Sequence, residues 1–133
     1  MLRHHGRPIL AAGLDVGQEG SESARLDQVA AGIDVTGASL VDSSGLSVAN
    51  LLTALTLDEV VNVAAGPDQP ELRPLVDLLP VAAGSGTLSD RFITTDIQNS
   101  SAGWLRAKTG SLTKTNALAG IVTDTSGRVL TFA

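Results

Sequence analysis

Apolar positions recur at helical spacing in several parts of the first eighty residues. The clearest case is residues 54–65, where leucines, valines and alanines three or four positions apart would line one side of a helix. Thr56 and Glu59 have the spacing of a capping box, which predicts the start of this helix. Gly66 and Pro67 follow directly and would end it.

Two more segments show the same periodicity. Residues 22–31 place Leu26 and Val29 on one face, and Gly32 follows as a terminator. Residues 70–79 begin with a proline, which suits a first helical turn that needs no N–H, and Pro80 closes the segment. We therefore expect three helices.

The pattern changes to the two-residue alternation of strands in the last thirty residues. Residues 104–109, 116–124 and 128–133 are predicted strands, and residues 125–127 form a tight hairpin turn between the last two. These strands would form an antiparallel sheet packed by the predicted helices. The expected fold class is α/β.

Shorter features lie between these elements. Residues 38–42 alternate as a strand does, and Gly45 breaks the alternation with a left-handed turn that Asp42 would brace. Residues 84–92 are expected to form a loop that enters a short helix, and residues 94–103 a polar connector.

Composition limits the classes of function. With 133 residues and 43% hydrophobic residues, the chain fits one domain, residues 1–133, with a core of its own. Its formal net charge is −5 and its nine basic residues are scattered, which argues against a nucleic-acid partner. There is no cysteine, so neither a disulfide nor thiolate catalysis is possible.

No cofactor, metal or membrane segment is expected. His4 and His5 are adjacent, which places them on different sides of a helix, and they lack further ligands. The apolar run near the N-terminus is interrupted by Gly13 and ends at Asp15, so we predict no signal peptide in this chain. No stretch approaches the roughly 20 apolar residues of a membrane-spanning helix.

The aromatic residues are few, and we assign them to the core. The chain has one tryptophan, two phenylalanines and no tyrosine. Trp104, Phe92 and Phe132 are therefore predicted core residues.

Lys108, Thr109 and Gly110 spell K-T-G, the third sequence element of active-serine enzymes such as penicillin-binding proteins. The triplet is short enough to occur by chance. Its two companion elements are S-x-x-K and S-x-N, and none of the four asparagines has a serine two positions before it. Ser111 and Lys114 do spell S-x-x-K, but on an expected strand side chains three apart point to opposite faces. We therefore disfavour Ser111 as a nucleophile.

Four blocks in the same order resemble the class C low-molecular-mass penicillin-binding proteins, which are serine D-alanyl-D-alanine carboxypeptidases and endopeptidases of peptidoglycan. The blocks are residues 39–47, 70–92, 106–112 and 117–120. The resemblance implies a partial penicillin-binding or β-lactamase-like transpeptidase fold. It also implies that this chain corresponds to the C-terminal part of the domain, with the S-x-x-K and S-D-N elements upstream.

The resemblance implies a role for each residue of the K-T-G stretch. Lys108 would offer its ammonium to the terminal carboxylate of the substrate and to proton transfer, and Thr109 its hydroxyl to the same carboxylate. Gly110 would leave room for a substrate strand that lies beside the chain as far as Leu112. The backbone N–H of Ser111 would form half of an oxyanion hole, unless it is simply paired in the sheet.

The function implied is that of a serine-type D-Ala-D-Ala carboxypeptidase that acts on peptidoglycan stem peptides and is blocked by β-lactams. Without a nucleophile the isolated chain is expected to be inactive. The alternatives are a non-catalytic module that binds peptidoglycan peptides or another protein, and a degenerate gene product. The intact parent would be periplasmic or otherwise extracytoplasmic, and its preference for carboxypeptidase or endopeptidase cleavage stays open.

Overall fold

The computed structural model describes residue 29, residues 31–93 and residues 100–133. The chain divides into two compact units, Met1–Thr53 and Ala54–Ala133. The helix predicted at residues 22–31 lies almost wholly outside the described residues, as do residues 94–99 of the predicted connector.

The first unit contains turns and one isolated bridge where a strand was predicted. Ser39 and Leu51 form the bridge through two backbone hydrogen bonds, 2.8 Å and 2.7 Å long. The strand predicted at residues 38–42 is therefore wrong. Its pairing stops after one residue because the next outward N–H, that of Val41, donates to the side-chain oxygen of Asn50 at 2.7 Å.

The turn that follows was predicted correctly. Gly45 has a φ of +72°, in the left-handed region that glycine tolerates. The Asp42 carboxylate accepts hydrogen bonds from the backbone N–H and the hydroxyl of Ser44, and from the Asn50 amide, each 3.0 Å long. The Asn50 amide contributes most to a lowered pKa of Asp42. Asp42 thus braces the turn, and the Ser44 hydroxyl bonds to this neighbouring carboxylate.

The second unit begins with helix α1, Ala54–Ala65, close to the predicted bounds. The backbone N–H of Gly66 bonds to the carbonyl of Asn62 at 2.8 Å where the helix ends. The prediction of a capping box at Thr56 and Glu59 was wrong. Thr56 lies inside α1 with its side chain buried, so it and Glu59 do not mark the helix start.

The single helix predicted at residues 70–79 is divided into two shorter pieces. A 3-10 turn spans Pro70–Leu72, and helix α2 spans Arg73–Asp77. Pro74 explains the break, because it has no N–H to donate to the carbonyl of Pro70 four residues earlier. The Arg73 guanidinium instead bonds to the carbonyl of Ala65, the last residue of α1, at 2.6 Å.

The three predicted strands form one antiparallel sheet. Strand β1 is Leu105–Leu112, β2 is Thr115–Thr123 and β3 is Val129–Phe132, in the spatial order β1-β2-β3. Residues 113–114 join β1 to β2, with Lys114 at a φ of +70°. β1 extends three residues beyond its predicted end, so the whole K-T-G stretch is extended.

The core of the sheet lies beneath the first half of β1. Leu88 and Ala107 are fully buried, and Leu105 is 8% exposed. Trp104 is 59% exposed, so its assignment to the core was wrong. Neighbouring residues of an extended chain point to opposite sides, and burial of Leu105 therefore turns Trp104 outward. Phe92 and Phe132 pack against the core as predicted.

Helix α1 packs on the sheet through contacts with β2 and β3, and α2 packs against α1. Val61 and Ala64 of α1 and Val76 of α2 are buried. An antiparallel sheet packed by helices is thus confirmed. No helix within the described ranges is both long enough and apolar enough to span a bilayer.

Candidate active site

The outer edge of β1 is occupied along its first half. The backbone N–H of Ala82 donates to the carbonyl of Leu105 at 2.9 Å, and the N–H of Ala107 donates to the carbonyl of Pro80 at 3.0 Å. We call residues 80–88 the bracing segment, because they hold β1 on the side opposite β2.

The bracing segment is itself held by local contacts. The Ser85 hydroxyl accepts the backbone N–H of Val81 at 2.9 Å. Gly86 has a φ of +55°, and a Cβ at this position would lie 3.2 Å from the Pro80 ring. Leu88 anchors the far end in the core with no exposed surface. A tight turn of fixed shape is the result.

The outer edge of β1 is open along its second half. The N–H of Thr123 donates to the carbonyl of Trp104 at 3.1 Å, so the backbone carbonyl of Trp104 points toward β2. Backbone groups of successive residues in an antiparallel ladder alternate between the two sides. Thr109 and Ser111 therefore direct their N–H and C=O groups outward, as Ala107 does. No strand of the described residues pairs with them on that side.

This alternation bears on the Ser111 N–H, which the sequence left either paired in the sheet or available to an oxyanion. Ser111 lies opposite Asn116 in the register of β1 and β2. Since Thr109 and Ser111 both belong to the pairs that exchange no backbone hydrogen bonds, the Ser111 N–H is not consumed by β2.

Lys108 and Thr109 bring polar side chains to the same edge. The Lys108 ammonium donates to the carbonyl of Thr109 at 2.7 Å, and this carbonyl points outward. The Thr109 hydroxyl donates to the hydroxyl of Thr87 in the bracing segment at 3.1 Å. An ammonium, a hydroxyl and the outward N–H of Ser111 thus gather at one strand edge that no described strand covers, an arrangement suited to an anionic peptide terminus.

Gly110 on β1 and Gly120 on β2 differ in how much space a side chain would have at each position. A Cβ at Gly110 would lie 3.4 Å from the Ala117 Cβ, an ordinary contact. A Cβ at Gly120 would lie 2.0 Å from the carbonyl oxygen of Arg106 and 2.6 Å from the Cα of Ala107. Gly120 thus lets β2 approach β1 closely where the edge is braced.

Ser111 and Lys114 do not lie one turn apart on a helix, as a serine nucleophile and its lysine base would. Ser111 lies on β1, whereas Lys114 lies in the hairpin turn rather than on the expected strand. Leu112, the last residue of the predicted substrate edge, pairs with Thr115 and closes the hairpin. The five predicted site residues therefore lie in one continuous stretch of β1.

The sequence model of the D-Ala-D-Ala carboxypeptidase 3 (S13) family matches residues 12–133. The chain belongs to this family. The resemblance inferred from the K-T-G stretch and its neighbouring blocks is thereby confirmed.

Two curated proteins with carboxypeptidase names are highly similar to this chain. It is 73% identical over 116 residues to "Carboxypeptidase DacB" of Mycolicibacterium smegmatis, a match that covers 86% of this chain and 25% of the relative. It is 66% identical over 101 residues to "Carboxypeptidase Rv3627c" of Mycobacterium tuberculosis, covering 76% of this chain and 22% of the relative. The chain thus spans about a quarter of the length of these proteins.

Solved structures agree on the fold. Penicillin binding protein 4 (dacB) from Haemophilus influenzae superposes with a TM-score of 0.75 at 30% identity, covering 86% of this chain and 24% of that one. A structure of the same protein complexed with a novel β-lactam gives a TM-score of 0.74 at 31% identity, covering 86% and 25%. The partial penicillin-binding fold of this S13 chain is therefore confirmed.

Two residues of the site region escaped sequence analysis. Gly120 sits inside a strand pattern, and such a glycine is a general sign of close backbone approach. Thr87 carries no comparable signal, because only the tertiary structure brings it to Thr109, 22 positions away.

Proposed function

We propose that the open half of β1 forms the K-T-G wall of a serine-type D-Ala-D-Ala carboxypeptidase site that acts on peptidoglycan stem peptides. Membership of the S13 family and the carboxypeptidase names of the two mycobacterial relatives support this function. The observation that carries the proposal is the outward direction of the Thr109 and Ser111 backbone groups, which leaves a strand edge free for a peptide.

In the proposed complex, the peptide adds as a strand to this edge. Lys108 moves off the Thr109 carbonyl, and its ammonium attracts the terminal carboxylate of the peptide. The Thr109 hydroxyl donates to the same carboxylate. The Ser111 N–H donates to the carbonyl oxygen of the bond to be cleaved, where negative charge develops during attack. Gly110 and Leu112 complete the strand edge beside the peptide.

The covalent step requires a serine that these 133 residues do not offer in a suitable setting. That serine attacks the D-Ala-D-Ala carbonyl, D-alanine leaves, and water hydrolyses the resulting ester. Because the chain contains no S-x-N element and its S-x-x-K does not lie on a helix, we propose that it binds the peptide without turning it over.

Two further consequences follow for partners and location. The β-lactam complex of the Haemophilus influenzae relative supports β-lactams as ligands of the complete site. Peptidoglycan lies outside the cytoplasm, and we therefore propose an extracytoplasmic location for the protein that carries this site.

Binding of a D-Ala-D-Ala peptide tests the proposal directly. We expect an N-acetylated L-Lys-D-Ala-D-Ala peptide to shift the backbone amide NMR signals of residues 108–112. Lys108→Ala should weaken binding about tenfold, since it removes the charge nearest the carboxylate. Lys114→Ala is the matched control, because it removes the same charge from the hairpin turn and should leave the affinity unchanged. Equal losses in the two variants would contradict a specific site.

Intact mass spectrometry with benzylpenicillin tests the missing nucleophile. We expect no covalent adduct on the 133-residue polypeptide. A stable adduct that maps to Ser111 would contradict the assignment of this residue to oxyanion binding and would restore Ser111–Lys114 as a nucleophile pair.

A further inference from the structure

We propose that Thr87 is a positioning residue, which orients the Thr109 hydroxyl toward a free terminal carboxylate where the bracing segment ends the open edge of β1. This inference rests on the proposed function. It adds to the site a residue outside the K-T-G stretch. It also implies that the site binds peptides that end in a free carboxylate more tightly than peptides that continue.

The bracing segment closes the open edge of β1 at one end. A peptide that runs antiparallel to β1 has its C-terminal end directed toward Thr109 and its N-terminal end toward Leu112. Beyond Thr109 the same edge is already taken, since the Ala107 N–H bonds to the Pro80 carbonyl at 3.0 Å. With the penultimate residue paired to Ser111, the last residue of the peptide lies beside Gly110 and its carboxylate reaches Thr109. The peptide cannot continue along β1 beyond this point.

Thr87 stands at this closed end. Its hydroxyl lies 3.1 Å from the hydroxyl of Thr109. Each hydroxyl has one hydrogen to donate and can also accept, and it rotates to suit its neighbours. Without peptide, Thr109 donates to Thr87. When a carboxylate arrives, Thr109 donates to it and accepts the hydrogen of Thr87 in return. The chain of hydrogen bonds strengthens the donor that faces the anion.

The turn that carries Thr87 has a fixed shape although its side chain is exposed. Leu88 is fully buried next to it, and the N–H of Ala83 bonds to the carbonyl of Leu88 at 3.0 Å. On the other side, Gly86 lies against the Pro80 ring. A substitution at Thr87 therefore removes a hydroxyl without disturbing the core, which makes the inference testable.

The test compares a peptide acid with its amide. We expect the wild-type chain to bind N-acetyl-L-Lys-D-Ala-D-Ala more tightly than the same peptide with a C-terminal amide. Thr87→Val keeps the shape of the side chain and removes its hydroxyl, and it should weaken binding of the acid about tenfold while leaving the amide unchanged. Thr87→Ser should restore the preference. Thr125→Val, in the β2–β3 turn, is the matched control and should bind as the wild type does.

A second measurement needs no ligand. Three-bond NMR couplings report the χ1 rotamer of Thr109, which should be fixed in the wild type and in Thr87→Ser, and averaged in Thr87→Val. An unchanged rotamer or an unchanged acid preference in Thr87→Val would overturn the role of Thr87. Absence of any acid preference in the wild type would instead overturn the proposed function, so the two failures are distinguishable.

Discussion

The two halves of β1 share one backbone conformation and have opposite surroundings. In the first half, Leu105 and Ala107 are buried and the outer edge is bonded to Pro80 and Ala82. In the second half, Lys108 is exposed, and the outward groups of Thr109 and Ser111 meet no strand of the described residues. The difference shows that the edge of an extended segment stays open for pairing only where its neighbours leave it uncovered.

An open strand edge is also a hazard, because it can pair with another chain. Lys108 reduces this hazard, since its ammonium covers the Thr109 carbonyl at 2.7 Å and places a charge on the edge. A peptide with a carboxylate can draw the ammonium away, whereas a neutral strand gains nothing from it. The same lysine would thus discourage edge pairing and take part in the proposed recognition.

The braced half should be the most sensitive to added volume. Gly120→Ala forces a methyl group to within 2.0 Å of the Arg106 carbonyl oxygen, so β1 and β2 must move apart. We expect the free energy of unfolding to fall by about 4 kcal/mol, at the upper end of single substitutions. Urea denaturation followed by circular dichroism measures this change.

Gly110→Ala, in the open half, is the control for this prediction. Its added methyl group makes an ordinary contact at 3.4 Å with Ala117, and we expect a change of less than about 0.5 kcal/mol. If the two glycine variants lost similar amounts of stability, the contrast between the halves of β1 would not hold.

Removal of volume from the core beneath the braced half should have the next largest effect. Leu88 is fully buried and anchors the bracing segment, so Leu88→Ala leaves a cavity and should cost about 3 kcal/mol of unfolding free energy. Leu78→Ala makes the same change at a side chain that is 76% exposed and should cost less than about 0.5 kcal/mol. A loss below about 1 kcal/mol for Leu88→Ala would show that the bracing segment is not anchored there.

The smallest effect is expected at an exposed polar turn, where local hydrogen bonds replace burial. The Ser126 hydroxyl, with the backbone N–H and guanidinium of Arg128, lowers the pKa of Asp124 to about 2 from an ordinary value of 3.8. Because the folded-state pKa is lowered, the contribution to stability is complete above 3.8 and is lost as the pH falls toward 2.

Unfolding experiments across this pH range check the sign. The wild-type advantage over Asp124→Asn should be constant above about pH 4 and should shrink as the pH approaches about 2. A carboxyl carbon NMR titration of Asp124 gives the midpoint independently. A midpoint near 3.8 would contradict the hydrogen bonds described for this turn.

Sequence reasoning was most accurate where local interactions determine the structure. The bounds of α1 follow from its periodicity and from Gly66 and Pro67, and the turn at Gly45 follows from the freedom of glycine to adopt positive φ. It was wrong for residues 38–42, where the Asn50 side chain takes the N–H groups that a strand would use. It was also wrong for Trp104, whose direction depends on which neighbour the core buries.

The amino-acid sequence alone determined the α/β class, the three C-terminal strands and the K-T-G stretch with its family resemblance, because periodicity and short motifs are local properties of the chain. Only the tertiary structure decided that Ser111 directs its N–H away from β2, that residues 80–88 close one end of the edge, and that Thr87 meets Thr109. The physical reason is that strand register and edge coverage depend on contacts between segments distant in sequence. No local sequence pattern specifies which distant segment packs against a given strand edge.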